Sequence, residues 1–365
     1  MNRKNKNKDN SAGSAKTTMA DIAAELGVSK NAVSLALGGR IGVSDGLRER
    51  VVNKAKEMNY DAAAAARGTK LGCIVVLVPE YFQSDTVNFS EIIWSIESEA
   101  KTLGYVVIHE GVTKTMEKSL TLPALRNDIL ILGIILVGVF ADVYVEKLFK
   151  LGYPMLTVEV TCQTVPVGCV GAANFSGGHM AARYLIYNGH RNIGFIGPAY
   201  TAMNIYERWC GFKLAIRQAG LRINKDYMVL GEDRESRFLN SEFKFFYNEP
   251  GSLSIEAELE FYVKGWFPGP TAWFCADDRI AATLISILAK RGVSVPEQVS
   301  IMGFGDAALA ETILPPLTTV RVDRKKIGQL AVERLCEIMS TGNRQAVIIN
   351  VTGELVVRKS VLRLR

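Results

Sequence analysis

The sequence has few of the residues that hold metals or disulfides, and those it has are scattered. Its six cysteines include no CxxC pair and mostly lie in apolar runs, which is typical of small core residues in a reducing compartment. Its three histidines, His109, His179 and His190, show no metal spacing and accompany no nucleophile motif. We therefore expect no disulfide, no metal, no cofactor, and neither hydrolase nor metalloenzyme chemistry.

The chain also lacks a long hydrophobic segment. Its first ten residues, MNRKNKNKDN, have no apolar core, so we expect no signal peptide. The longest apolar run, Ile129 to Ala141, is too short and too interrupted by glycine to span a bilayer. These features predict a soluble cytoplasmic protein that does not enter a membrane.

Positive and negative charges balance over most of the chain. Residues 1–70 hold 13 Lys and Arg against 7 Asp and Glu, and the remaining residues hold 30 of each. The whole formal charge of +6 therefore lies in the N-terminal fifth, which has the electrostatic footprint of a region that binds a polyanion. The hydrophobic content of 48% is ample for a large packed core in the rest.

Residues 17–37, TTMADIAAELGVSKNAVSLAL, have the pattern of two short amphipathic helices joined at a glycine. Thr17 or Thr18 is a suitable N-cap, and apolar residues follow at helical spacing. Gly27 allows the left-handed backbone that ends a helix, and Ser29 caps the second helix. An ordinary helical hairpin shares this periodicity, but the caps and the glycine favour a helix-turn-helix.

The second helix has polar residues near its N-terminus. In a helix-turn-helix that end enters the major groove of DNA. The side chains predicted on its outer face are Lys30, Asn31, Ser34 and Leu35. Asn forms two hydrogen bonds with adenine, and Lys donates to guanine or phosphate. This face therefore suits the recognition of base edges.

The flanking segments complete a small domain. Residues 1–16 are polar and lack periodicity, which predicts a disordered basic tail. Ser44 and the apolar spacing after it predict a third helix, so we expect a helix-turn-helix headpiece over residues 17–59. Residues 60–71 contain the Ala-rich run DAAAAARGTK, whose helix would be marginal alone, and are predicted to be a hinge.

From residue 72 onward, apolar β-branched runs alternate with helical ones. Strands that are apolar on both faces, alternating with helices, indicate parallel sheets covered by helices. Roughly ten such strands suggest two open sheets and not one barrel. Residues 233–251 are charged and aromatic without clear periodicity and are predicted to be a loop insertion. We expect residues 72–365 to form an effector-binding portion of α/β class.

The order of several motifs resembles that of the lactose/galactose-repressor (LacI/GalR) family. The resemblance covers almost the whole chain from Thr17, and its motifs are residues 17–37 and the runs VSDGLRERV, NGHRNIGFIG, YERWCGFKLAI, FCADDRIA, VPEQVSIMGFGD and PPLTTVRVD. It implies a homodimeric transcription regulator. Its effector portion would resemble a periplasmic sugar-binding protein, with two doubly wound parallel-sheet subdomains, three crossovers and a ligand in the cleft. The implied N-subdomain spans about 72–172 plus 321–342, and the C-subdomain about 173–320 plus 343–365.

The family's operator contacts fall, by motif, on Thr18, Ser29, Lys30, Asn31, Ser34 and Leu35, and in the hinge on Ala66, Arg67 and Thr69. Leu35 departs from the usual Arg, and an apolar side chain suits a thymine methyl group but not guanine. Thr69 departs from the Leu that the family inserts into the minor groove. The implied partner is near-palindromic double-stranded DNA.

The family's effector contacts fall on Glu80, Tyr81, Glu159, Arg208, Asp277 and Asp306. Arg208 would offer a planar fork to hydroxyl groups or a carboxylate. Three positions depart from the family: Asp277 replaces Asn, Gly305 replaces the first Asp of a GFDD run, and Ala173 replaces the Asp of an Asp-Asn pair. The implied effector is a sugar or sugar derivative, and a nucleobase or nucleoside remains the alternative.

An enzyme remains a second hypothesis because of the run GFGDAA at 303–308. It matches the GxGxxA nucleotide fingerprint after a strand, and Asp323 follows at about the expected distance. The fingerprint also needs a helix that opens at once, whereas Pro315 and Pro316 follow within a dozen residues or so. A carbohydrate-transport protein would fit the large portion but not the headpiece. An allosteric DNA-binding regulator is therefore the main prediction.

Overall fold

The computed structural model describes residues 17–37, 42–58, 60, 71–80, 89–123, 129–200, 202–230, 259–260 and 269–364. The chain divides into two compact units, Met1–Leu71 and Gly72–Arg365. The predicted tail, most of the predicted hinge, Tyr81 and the predicted insertion at 233–251 lie outside the described residues.

Three helices form the first unit: α1 (Met19–Leu26), α2 (Lys30–Leu37) and α3 (Asp45–Glu57). Thr18 and Asp21 form a reciprocal capping box at the start of α1, and Gly27 ends α1 with a φ of 64°. The side chains of Ser29 and Ser44 accept backbone N–H groups at the starts of α2 and α3. The helices and caps expected from the sequence are therefore present.

A small apolar core joins these helices. Its buried members are Ile22, Ala23, Val33, Ala36, Val51 and Ala55. The Arg48 Nη1 atom donates to the Ala36 carbonyl at 3.2 Å, so α3 satisfies a carbonyl at the end of α2. The outer-face placement of Leu35 is wrong, since this residue is only 4% exposed and packs near Gly42. Helical spacing shows which residues of α2 face α1. It does not show that the chain after α2 packs near Leu35 on another face.

Within its described residues, the second unit contains the following strands and α-helices, together with a short 3₁₀ helix at Lys225–Tyr227. The strands are β1 (Leu71–Pro79), β2 (Val106–Val112), β3 (Ile129–Val137), β4 (Met155–Val158), β5 (Gly168–Ala172), β6 (Ile193–Ile196), β7 (Met228–Val229), β8 (Ala272–Cys275), β9 (Ser300–Met302), β10 (Thr319–Arg321), β11 (Ile348–Val351) and β12 (Glu354–Val356). The helices are α4 (Ser90–Thr102), α5 (Lys114–Ser119), α6 (Asp142–Phe149), α7 (Asn174–Tyr187), α8 (Met203–Gln218), α9 (Asp278–Lys290), α10 (Leu309–Thr312) and α11 (Arg324–Thr341).

Two larger sheets organise this unit. The first has the order β11-β5-β4-β3-β1-β2, and the second has the order β7-β6-β8-β9 with parallel pairing throughout. Strands β10 and β12 form a separate antiparallel pair. Each larger sheet has its own apolar core, and the ring of Phe195 packs against Phe212 and Phe274 in the second. The α/β class with two parallel sheets is confirmed.

Bridges join Met302 to Thr318 and Gly305 to Arg321, so the β10–β12 pair adjoins β9 of the second sheet. The chain therefore passes between the two sheets three times, after β5, after β10 and after β11. The resemblance places residues 343–365 in the C-subdomain, and this is wrong for β11, which pairs in parallel with β5 of the first sheet. A short strand after a long helix carries no local signal of which sheet edge it joins. The third crossing therefore lies between Val351 and Glu354.

Helices α7 and α8 cross at very short range. A Cβ atom at Gly211 would overlap the carbonyl oxygen of Phe175, and one at Gly178 would overlap the carbonyl oxygen of Arg208. Only glycine permits this approach. The crossing fixes the N-terminal half of α8, which carries Arg208.

Among the described helices, none combines the length and apolar character needed to cross a bilayer.

Candidate functional site

Of the expected DNA-contacting residues that the structure describes, Thr18 caps α1, and the others lie just before α2 or within it. Thr18, Ser29 and Lys30 are exposed, and Asn31 and Ser34 are half-buried. These residues carry hydroxyl, amide and ammonium groups at the start of α1 and along α2. Leu35 does not join them because it is buried, and the hinge residues Ala66, Arg67 and Thr69 lie outside the described part of the chain. Their DNA contacts remain predictions.

A cleft in the second unit collects residues that follow the carboxyl ends of strands in both sheets, which is where parallel α/β sheets bind ligands. The described residues that line it are Phe89, Ile92, Gly138, Val139, Glu159, Val160, Ala202, Asn204, Ile205, Arg208, Asp277, Arg279, Phe304, Gly305, Val322 and Arg324. The enclosed volume of about 90 Å³ has room for several water-sized groups, and so for a small molecule.

Arg208 is held on three sides at the base of this cleft. Its Nε donates to the Asn174 Oδ1 at 2.9 Å, and its Nη1 donates to the Ala276 carbonyl at 2.7 Å. Its guanidinium also lies over the Phe304 ring, with the Cζ atom 3.9 Å from the ring centroid. Burial lowers the pKa of Arg208 to about 10, so the side chain remains charged at neutral pH.

Glu159 faces the same space with an unsatisfied carboxyl oxygen. Its Oε1 atom is buried and has no hydrogen-bond partner within the described residues. Burial raises the pKa of this carboxyl, against the opposing effects of the Arg208 and Arg324 charges. Glu159 also has a φ of 74°, which is uncommon for a residue with a side chain. A strained backbone and an unpaired buried acceptor are typical of a binding position.

Two neighbouring aspartates at the start of α9 have different roles. Asp277 lines the cleft, and its Oδ1 accepts the Ile280 N–H at 2.8 Å as the helix cap. Asp278 is buried behind the wall, where it accepts the Thr319 hydroxyl at 2.6 Å and the Ala307 N–H at 2.7 Å. Burial raises the pKa of Asp278 to about 6. Asp278 supports the wall from within the protein.

The cleft thus brings together Glu159, Arg208 and Asp277 of the six expected effector residues. Glu80 is exposed at the end of β1 and is not among the lining residues. Tyr81 lies outside the described residues. Asp306 does not line the cleft either.

Asp306 has a structural role. Its carboxylate lies 2.7 Å from both the Arg321 Nε and the Arg358 Nη1, and these contacts connect the loop after β9 to β10 and to the segment after β12. Burial opposes its ionisation, but the hydrogen bonds and charges of the two arginines prevail and lower its pKa. A carboxylate after a strand predicts a ligand contact by position alone. Its distant partner Arg358 gives no local sequence signal.

Several residues in or beside the cleft were not expected from the sequence. Phe304 and Arg324 line it, and Asn174 orients Arg208 from α7. Arg324 is only 7% exposed although it is the first residue of α11. One sequence feature indicates that Arg324 lines the cleft. Arg324 lies beside a predicted subdomain crossover, and chain segments at crossovers border the cleft.

The GFGDAA run does not have the geometry of a nucleotide fingerprint. The helix that follows it, α10, spans only Leu309–Thr312. A Cβ atom at Gly303 would overlap the Asp278 carboxylate, so this glycine makes room for a protein side chain. The fingerprint places its glycines against a pyrophosphate at the start of a longer helix. The enzyme hypothesis loses the feature on which it rested.

Two family models match the chain over regions that agree with these two units. Residues 18–62 match the model described as bacterial regulatory proteins, lacI family, and residues 182–361 match the periplasmic binding protein-like domain. The chain belongs to the lacI family of bacterial regulatory proteins. It is a DNA-binding transcriptional repressor with a ligand-binding portion.

Similar proteins extend over nearly the full length of this lacI-family chain. The HTH-type transcriptional repressor PurR of Pasteurella multocida (strain Pm70) is 28% identical over 355 residues, covering 94% of this chain and 98% of the relative. A solved transcriptional regulator CelR–cellobiose complex has a TM-score of 0.67 at 22% identity, covering 94% of this chain and 100% of that one. The lac repressor dimer bound to operator and the anti-inducer ONPF has a TM-score of 0.63 at 21% identity, with 95% and 100% coverage. The two structures show a shared fold.

Proposed function

We propose that this repressor binds a near-palindromic operator as a homodimer, and that a small molecule in the cleft controls its DNA affinity. Two copies of α2 would enter successive major grooves, with Lys30 and Asn31 at base edges or phosphates. The excess of positive charge in residues 1–70 supports this DNA contact. The similar lac repressor structure is a dimer on its operator, which supports the same assembly here.

The effector in this proposal is a sugar or sugar derivative. The observation that carries it is the pair Arg208 and Glu159, which present a fixed donor and an unpaired acceptor to one small cleft. Adjacent hydroxyl groups both donate and accept hydrogen bonds, so a sugar satisfies both side chains. The similar CelR structure holds cellobiose, which agrees with this class of ligand. Genes of carbohydrate use are the corresponding targets.

A nucleobase or nucleoside is the second candidate. Phe89 and Phe304 contribute aromatic rings to the cleft wall, and a planar base gains from stacking on such rings. The Phe304 ring already carries the Arg208 guanidinium, which leaves less of its surface for a ligand. This observation favours the sugar.

Ligand and DNA are coupled in this proposal through movement of the subdomains. A ligand that bridges the cleft favours one arrangement of the two sheets, and the linkage between ligand affinity and operator affinity is reciprocal. The proposed function is performed by binding alone, in the cytoplasm, without a catalytic step. Membership of a family of DNA-binding regulators supports this assignment.

Gel shifts with DNA from upstream of the protein's own gene and its neighbours test the proposal. We expect one retarded species of dimer stoichiometry with a promoter fragment, and a change in its affinity when a sugar from a small panel is present. The matched control is the Asn31→Ala variant, which is expected to relax base preference at one operator position but keep the ligand response. Equal affinity for the promoter and for scrambled DNA would contradict operator recognition. Ligand binding without any change in DNA affinity would contradict the coupling.

A further inference from the structure

A guanidinium group forms the cleft wall beside Gly305. The Arg324 Nη2 atom lies 2.9 Å from the point that a Cβ atom of residue 305 would occupy, and Gly305 has a φ of 122°. A carboxylate side chain at 305, as in the GFDD run that this segment resembles, would compete with Arg324 for this space. The wall therefore presents a cation. Glycine at position 305 leaves the space that the Arg324 guanidinium occupies.

A second cationic donor faces the same space. The Arg208 Nη2 atom takes no part in the bonds to Asn174 and Ala276, and it makes no hydrogen bond within the described ranges. Helices α8 and α11 also begin at the cleft, where Ala202 and Arg324 are lining residues. The N-termini of helices carry partial positive charge and favour anions.

The nearby carboxylates are mostly bonded within the protein. Asp277 caps α9, and both oxygens of Asp278 accept hydrogen bonds from Thr319 and Ala307. Glu207 is not among the lining residues, and Glu91, whose side chain is 58% exposed, lies 3.9 Å from Arg324. Glu159 differs, because its Oε1 is buried and unpaired. Since a carboxylate only accepts hydrogen bonds, Glu159 requires a donor from the ligand.

We propose that the effector of this cleft is an anionic hydroxylated molecule, a sugar acid or a sugar phosphate, and that Arg324 determines this specificity. A hydroxyl group of the ligand donates to Glu159, and its anionic group lies against Arg208 and Arg324. Both carboxylate and phosphate suit the planar donor fork of arginine. The inference rests on the proposed function, because it concerns the ligand of the same cleft.

Matched sets of ligands test the charge requirement with the full-length protein. Each set contains a neutral sugar, its acid and its phosphate: glucose with gluconate, glucuronate and glucose 6-phosphate, and the corresponding compounds of galactose and ribose. Adenine and guanine complete the panel. Thermal shift identifies binders, and calorimetry gives their Kd values. We expect at least one acid or phosphate to bind 10-fold or more tightly than its neutral parent. The carboxylate and phosphate arms show which anion is preferred.

Two variants test the role of Arg324. Arg324→Gln removes the charge and is expected to weaken binding of the anionic ligand at least 10-fold, with less than a 3-fold change for the neutral parent. Lys325→Gln removes the same charge from the next, exposed position of α11 and is expected to change neither Kd. Circular dichroism confirms folding. If Arg324→Gln does not fold, the role of Arg324 is tested with Arg324→Lys. The anionic specificity is then tested by the Kd values of the wild-type protein for the acid or phosphate and its neutral parent.

The outcomes separate this inference from the proposed function. Equal Kd values for a neutral sugar and its acid would overturn the anionic specificity and leave the sugar effector in place. Binding of adenine or guanine alone would overturn both and favour the second candidate. No stabilisation by any acid or phosphate would overturn the inference, whatever the neutral sugars do.

Discussion

The guanidinium of Arg208 lies over the ring of Phe304, with its Cζ atom 3.9 Å from the ring centroid, and it donates hydrogen bonds to Asn174 and to the Ala276 carbonyl. These three partners follow β9, β5 and β8, so segments of both sheets fix one side chain. Little rotamer freedom is left for a ligand to remove, and this lowers the entropic cost of binding. Arg208 is therefore preorganised in the ligand-free protein.

Replacement of Arg208 by Ala should abolish the ligand response and leave ligand-free operator affinity within a few-fold. The ligand loses its fixed donor, and the Asn174 Oδ1 and the Ala276 carbonyl lose theirs, which costs ~1 to 3 kcal/mol of stability. Calorimetry measures ligand binding, denaturant unfolding measures stability, and gel shifts measure operator affinity with and without ligand. Arg217→Ala, at an exposed position of the same helix, is the control and should change none of them. Unchanged ligand affinity in the Arg208 variant would remove Arg208 from the site.

Replacement of Asn31 by Ala should relax base preference at one operator position by ~1 to 3 kcal/mol, because a bidentate amide–adenine pair is lost. Binding to a randomised half-site library measures this preference. Lys30→Ala is the comparison: a phosphate contact would lower affinity for all sequences and reduce the slope of log K against log salt by ~1. An unchanged library profile would show that Asn31 does not read a base.

Replacement of Gly211 by Ala should separate α7 from α8. The added methyl group would overlap the Phe175 carbonyl oxygen and lie 2.8 Å from the His179 nitrogen, and such overpacking costs ~1 to 3 kcal/mol. Because Arg208 lies one turn away on α8, ligand affinity should fall together with the unfolding midpoint. Arg217→Ala again serves as the control. A variant with wild-type stability and ligand affinity would mean that the helices tolerate a wider crossing.

The sequence predicted the helix caps and the alternation of strands and helices because these are local patterns. It failed where a contact joins distant segments. The strand β5 has little local signal because GCVGA is short and rich in glycine, and its burial comes from β4 and β11 on either side. Asp306 carried a plausible ligand pattern but is paired with Arg358, and Arg324 was not among the expected cleft residues.

His190 should make stability depend on pH. It is 1% exposed and hydrogen-bonded to Thr271 and to the Leu362 carbonyl, and burial lowers its pKa below the ordinary 6.5. Below that value the unfolded chain gains a proton that the folded chain resists, so this contribution is complete at higher pH and is lost as pH falls. The slope cannot exceed ~1.4 kcal/mol per pH unit for one proton.

The His190→Gln variant isolates this effect, because glutamine can bond the same partners without titrating. The free energy of unfolding of the wild type, relative to this variant, should be highest near pH 8 and decline toward pH 5. Other groups, such as Asp278, are common to both proteins and cancel in the difference. A difference that is constant with pH would show that His190 titrates alike in the folded and unfolded chains.

The predicted hinge carries Thr69 at the position where the family has the Leu that it inserts into the minor groove. Thr has less apolar surface and a hydroxyl that would need a partner between bases, and Gly68 weakens a helix by ~1 kcal/mol relative to Ala. Both changes favour a shallower operator bend and greater reliance on phosphate contacts, hence steep salt dependence.

Thr69→Leu restores a wedge whose full burial contributes ~1.5 to 3 kcal/mol, less the cost of unstacking. Affinity and bend angle should both rise in circular-permutation gel shifts of a fixed operator. If neither rises, the hinge does not enter the minor groove at this residue, and Leu71→Ala then tests the next apolar position.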